Sequence, residues 1–166
     1  MATKLQIFQE IPVTPATKNF IEKYRTEPIR AELSDALGIT ILSLITYRNK
    51  SDGKRIDDKY SSSIKIYIQE GELLRRSCKV LRRMAVVSVH RHITKLLYSE
   101  LEKYVAINTV RYLGRKLCSI NEAIEQFREE YGLLDEEYNF LRLHQHIMRI
   151  NRKKRKANAK PTVSKK

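Results

Sequence analysis

Leu74, Cys78, Leu81, Ala85, Val89, Ile93, Leu97, Leu101 and Tyr104 step along the middle of this chain by threes and fours. An α-helix turns once every 3.6 residues, so such positions fall on one side of it and form a continuous apolar stripe. A helix that long owes its stability to what covers the stripe, so the rest of the chain must supply apolar surface. Punctuation is sparse, with five glycines and four prolines in 166 residues, which favours long helices over many short strands. The length suits one domain, or a small domain with an extension, and 42 % apolar content is enough for a modest core.

Shorter elements flank the stripe. "TPATKNFIEKY" predicts a helix over 16–25 with Phe20, Ile21 and Tyr24 inward, the breaks around it marked by Pro12, Pro15 and Pro28. Thr26 can cap a second helix with Pro28 in its first turn, running to Leu37. Gly38 then supplies a turn before a third helix over 40–47. "NKSDGKRIDDK" is turn-rich and reads as a loop. "SSSIKIYIQEG" alternates Ile64, Ile66 and Ile68 with Lys65 and Tyr67, a pattern equally open to a short edge strand or a helix start. Val110, Leu113 and Leu117 suggest a further helix. Ser119 and Glu122 form a capping box ahead of Ile120, Ile124, Phe127 and Tyr131, and Gly132 ends that helix. Asp135 caps the last one, with Tyr138, Leu141, Ile147 and Met148 inward, before a tail too polar to order itself.

The predicted fold class is therefore all-α: an N-terminal three-helix unit, long amphipathic helices with room for one short strand, and a disordered basic tail. The predicted division is 1–58 for the three-helix unit and its loop, 59–150 for a helical region suited to self-association, and 151–166 for the tail.

"RAELSDALGITILSLITYRN" has a small residue, Ser34, where two helices would cross and a glycine, Gly38, where they would turn. Leu33, Leu37, Ile39, Leu44 and Tyr47 take the inward positions. The stretch resembles the helix-turn-helix domain of repressors and transposases over residues 29–50, particularly in "LSDALGIT". That resemblance implies a DNA-facing helix with Thr40, Ile41, Leu42, Ser43, Thr46 and Asn49 towards the groove. It departs from the pattern in Ile41, Leu42 and Ile45, because base edges are read by Arg, Lys, Asn or Gln. The greasy positions suit either a helix turned inward as core or one docked on another protein. Arg48, Lys50, Lys54 and Arg55 follow where phosphates would lie.

Charge points the same way. The net charge is +14, and it is unevenly placed. Arg149 to Lys166 holds nine basic residues and no acid, among them Arg152, Lys153, Lys154, Arg155 and Lys156. Leu73 to Ser99 holds seven basic residues and no acid, with Arg75, Arg76, Lys79, Arg82 and Arg83 crowded at its start. Ile120 to Met148 is acidic instead. Solvated faces usually mix signs, so the two basic stretches suggest contact with a polyanion. Lysines and arginines set against phosphates give affinity and strong salt dependence without sequence information.

Several classes find no support. Cys78 and Cys118, 40 residues apart, make neither a disulfide framework nor a zinc motif and suggest a reducing compartment. No apolar run has the length of a membrane span or a signal peptide, so a soluble protein inside a cell or a virion is expected. His90 and His92, like His144 and His146, are two apart, and on a helix such pairs point away from each other and cannot share an ion. No glycine-rich phosphate loop or nucleophile motif occurs, and no enzyme, metal or cofactor is expected. The nine tyrosines fall at helical spacing and read as core, without the exposed aromatic platform that single strands use.

Two functional expectations follow. One is a non-enzymatic protein binding double-stranded DNA, a regulator or packaging subunit of a phage or mobile element, self-associating through its helices. The other is a structural subunit of a virion or similar nucleoprotein assembly, whose basic face meets nucleic acid while its apolar helix meets other subunits.

Overall fold

The computed structural model describes residues 6–25, 29–31, 36–44, 57–69, 83–109, 111–112, 115–116, 118–133 and 135–158. The chain divides into two compact units, Met1–Leu97 and Tyr98–Lys166.

The first unit is built on a sheet, which overturns the all-α expectation. Strand β1 (Gln6–Val13) pairs antiparallel with β3 (Ser62–Gln69) along its whole length. The two-residue strand β2 (Ile29–Arg30) pairs parallel with β3, giving the order β1-β3-β2. Alternation decides the faces. Ile64, Ile66 and Ile68 of β3, Ile11 and Val13 of β1 and Ile29 of β2 are all buried on one side. Each such side chain contributes roughly 1.5–3 kcal/mol when fully buried. Pro12 is tolerated because β1 is an edge strand and one of its sides needs no amide donors.

Helix α1 (Pro15–Tyr24) begins where expected. Thr14 caps it by accepting from the Thr17 amide, and Pro15 occupies the first turn, where a missing N–H does no harm. Ala16, Thr17, Phe20 and Ile21 are buried.

Helix α2 (Ala36–Leu44) differs from its sequence reading. Ile29 and Arg30 are strand where a helix was predicted, and Gly38 lies inside α2 where a turn was predicted. Leu37, Gly38, Ile41 and Leu42 are buried, so the segment is apolar enough to be held as helix by packing despite its glycine. Of the other residues of the predicted hairpin, 32–35 and 45–50 lie outside the described residues.

Helix α3 (Arg83–Asn108) carries the predicted apolar stripe: Ala85, Val89, Ile93, Leu97 and Leu101 are buried. Its upstream members Leu74, Cys78 and Leu81 lie outside the described residues. Within the first unit, His90 and His92 tie α3 to its neighbours. His90 Nδ1 is 3.2 Å from Thr17 Oγ1 of α1, and His92 Nδ1 is 3.3 Å from Thr40 Oγ1 of α2. The "HRH" pattern is thus two fasteners pointing to different helices.

In the second unit, the helix predicted around 110–117 is replaced by strands β4 (Arg111–Tyr112) and β5 (Arg115–Lys116), paired antiparallel. Val110, Leu113 and Leu117, which suggested it, lie outside the described residues. Helix α4 (Ile120–Tyr131) has the predicted capping box, with Ser119 accepting from the Glu122 amide and Glu122 accepting from the Ser119 amide at 2.6 Å. Gly132 closes it in the left-handed region at φ 58°. Its amide donates to the Glu129 carbonyl and that of Leu133 to the Arg128 carbonyl, satisfying two end carbonyls. Ala123, Ile124 and Phe127 are buried, and Phe127 meets Tyr104 of α3 edge-on at 5.4 Å.

Asp135 begins only a single turn, α5 (Asp135–Tyr138). The long last helix, α6 (Phe140–Asn158), starts after Asn139, whose side-chain oxygen accepts from the Arg142 amide at 2.9 Å. Leu143 and Ile147 are its buried residues, whereas Leu141, expected inside, is 61 % exposed. The tail is also corrected. Residues 151–158, expected to be disordered, continue α6 as helix, and 159–166 lie outside the described residues.

Candidate nucleic-acid interface

The most basic described surface is the carboxyl-terminal part of α6. Its apolar stripe runs through Leu143 and Ile147 to half-buried Ile150 and then stops. Beyond it Arg152, Lys153, Lys154, Arg155 and Lys156 are all exposed. Consecutive helical residues are about 100° apart, so five in a row surround the helix axis with cations. No acid occurs anywhere in "FLRLHQHIMRINRKKRKAN". None of the five pairs with a carboxylate among the described residues. Their mutual repulsion is offset only by helix propensity and by the favourable placing of cations at a helix C-terminus.

The base of this basic segment is fixed. His146 stacks on Tyr98 at 4.3 Å between centroids and 24° between planes. A guanidinium can only donate, and Arg149 Nη2 lies 3.2 Å from His146 Nδ1. His146 Nδ1 therefore accepts, and Nε2–H donates to Glu102 Oε1 of α3 at 2.9 Å. One imidazole thus joins α3 to the foot of the basic segment and orients the exposed Arg149. His144 is engaged differently, stacked on Phe140 at 5.6 Å. Among the described residues no group of three His, Cys, Asp or Glu is disposed to hold a metal ion.

The other predicted contact residues have different outcomes. Thr40 is half-buried, donates to the Ala36 carbonyl at 2.8 Å and meets His92, so it is occupied within the fold. Ser43 is exposed and donates to the Thr40 carbonyl at 2.7 Å. Ile41 and Leu42, placed towards the groove by the resemblance, are in the core. Arg83 is the first residue of α3. Thr46, Arg48, Asn49, Lys50, Lys54, Arg55, Arg75, Arg76, Lys79 and Arg82 lie outside the described residues.

One surface was missed altogether. The solvent side of the β1-β3-β2 sheet carries Phe8, 50 % exposed, directly opposite half-buried Tyr67, with ring centroids 6.0 Å apart. Exposed Arg30 of β2 is in register with Tyr67, and exposed Lys65 faces Glu10. The expectation of no exposed aromatic platform is therefore corrected. Tyr67 was visible in the alternating stretch, but only strand pairing sets Phe8 and Arg30 beside it.

No protein-family model, curated protein or solved structure matches the sequence. No helix among the described residues is long and apolar enough to cross a membrane.

Proposed function

We propose that this chain is a non-enzymatic DNA-binding protein that grips the phosphate backbone of duplex DNA with the basic end of α6. The observation that carries the reading is the ring of five exposed, carboxylate-free cations on a helix anchored through His146. A helix of this kind fits a major groove, and Lys and Arg on all its sides reach the phosphates that flank it. Such contacts fix position and supply affinity, while leaving base sequence unread. In this reading the helix-turn-helix-like stretch contributes little from α2, whose one exposed polar position facing outward is Ser43.

The test is binding of the full chain to a fluorescent duplex across a salt series. Five phosphate contacts give a slope of log affinity against log salt of about −4.5 from this segment. Arg152→Gln, Lys153→Gln, Lys154→Gln, Arg155→Gln and Lys156→Gln together should remove that share of the slope. Binding that ignores salt, or a slope unchanged in the variant, rejects the reading.

A second reading, a subunit of a nucleoprotein assembly, draws on Ile107 at 67 % and Leu141 at 61 % exposure in the second unit. Large apolar side chains held in solvent are ready material for subunit contacts. Mass measurement with and without DNA separates the two, since an assembly subunit forms defined multimers through Ile107 and Leu141 and loses them on Leu141→Asp.

A further inference from the structure

We propose that the open face of the β1-β3-β2 sheet is a second, independent nucleic-acid site that takes a single strand, its bases stacking on Phe8 and Tyr67 while Arg30 and Lys65 meet the backbone. The proposal does not depend on α6.

The pairing register builds this face. Phe8 lies opposite Tyr67, and Tyr67 lies beside Arg30, so one row across the three strands reads aromatic, aromatic, guanidinium. The neighbouring row reads Glu10 and Lys65. The opposite side of the same strands holds Ile11, Val13, Ile29, Ile64, Ile66 and Ile68 in the core, which fixes the row outward by simple alternation. The half of the Phe8 ring left in water adds little to folding and is free to stack on a ligand.

Geometry selects the occupant. The two ring centroids are 6.0 Å apart and the planes are inclined at 58°, so they offer two separate stacking surfaces. Bases in a duplex strand repeat every ~3.4 Å, too close for neighbours to occupy both rings. A single strand with its bases splayed apart can do so, and every base has a π-face to offer. The charges agree. Arg30 and Lys65 outnumber the one carboxylate of these rows, Glu10, on a chain whose net charge is +14. In these two rows of described residues the apolar area that a protein partner would find is confined to the two rings. A polyanion with flat apolar bases satisfies both halves of the surface.

The experiment uses the full chain and a version in which Arg152 to Lys156 are all replaced by Gln, so that α6 cannot mask the sheet. Probes are labelled 12-mers of oligo-dT and oligo-U and a duplex of the same length, read by fluorescence anisotropy. In the α6-neutralised chain we expect single strands to bind better than duplex. Phe8→Ala or Tyr67→Ala should each raise Kd about tenfold, within the range for losing one base–aromatic stack. Phe8→Tyr and Tyr67→Phe keep the π-faces and should stay within about twofold. Arg30→Gln, on an exposed side chain, should leave the melting temperature unchanged and lower the salt slope by about 0.7. A difference between the oligo-dT and oligo-U arms assigns the strand to DNA or RNA. Equal binding of wild type and the alanine variants at unchanged melting temperature overturns the proposal. So does a preference for duplex, or a concentration-dependent mass that falls on Phe8→Ala, which would make the face a self-association surface.

Discussion

Ser119, Glu122 and Gly132 show how much single residues decide here. Glu122 accepts hydrogen bonds from Ser119, and these hold its carboxyl below the ordinary value of 4.5. A carboxylate depressed in the folded state stabilises at pH values above its unfolded value, and that contribution is lost as pH falls through the lower folded one. Glu122→Ala should therefore lower the melting temperature at neutral pH, and the gap to wild type should close as the pH is taken below 4.5 and onward; a gap independent of pH would refute the assignment. Gly132→Ala forces a Cβ into the left-handed region and should cost about 1–2 kcal/mol in denaturant melts, with no change in the slope of unfolding. These positions were legible because capping chemistry is local: Ser-x-x-Glu and a trailing glycine mean the same thing in any fold. Leu141 was not legible. Its place in the helical pattern matched a buried face, but α6 starts at Phe140, after the short turn of α5, and its stripe runs through Leu143 and Ile147 instead.

At the scale of elements, the sequence carries the helices better than the sheet. The stripe of α3 and the boundaries of α1 and α4 follow from spacing and caps within one stretch of chain. The alternation of β3 leaves a short edge strand and a helix start equally open, and the segment is in fact the central strand; its partner "QIFQEIPV" shows no alternation, because Pro12 and Glu10 blur the pattern and the partner lies far along the chain. Pairing at that distance leaves no local mark. Gly38 misled for a related reason: a glycine between apolar residues reads as a turn until burial of Leu37, Ile41 and Leu42 shows what holds the helix through it. The sheet's central position gives a comparison. Ile66 is paired on both sides, with Gln9 and with Ile29, and is fully buried, so Ile66→Ala should cost about 2–5 kcal/mol. Ile39 of the same unit is 48 % exposed, and Ile39→Ala should stay within about 0.5 kcal/mol. Chemical denaturation of the two variants side by side measures the contrast, and similar losses would place the core elsewhere.

For the whole molecule the governing quantity is charge, and its concentration at the carboxyl end of α6 could be read directly from the order of residues. What could not be read was that this end is helix. Composition alone says that "NRKKRKAN" lacks the apolar content to order itself. Its lysines and arginines are nonetheless good helix formers, and extending a helix already nucleated at Asn139 and pinned at His146 needs no new nucleus. Replacing Arg152 to Lys156 with Gln should leave thermal stability equal or slightly higher at low salt, since it removes repulsion and no ion pair among the described residues; calorimetry at two ionic strengths checks this, and a marked fall would reveal partners for these cations. The extension has a kinetic meaning as well. Under the proposed function, a segment already in its final shape when it meets a polyanion would surrender little conformational entropy on capture, so long-range attraction, not the search for a bound shape, would set how fast it associates.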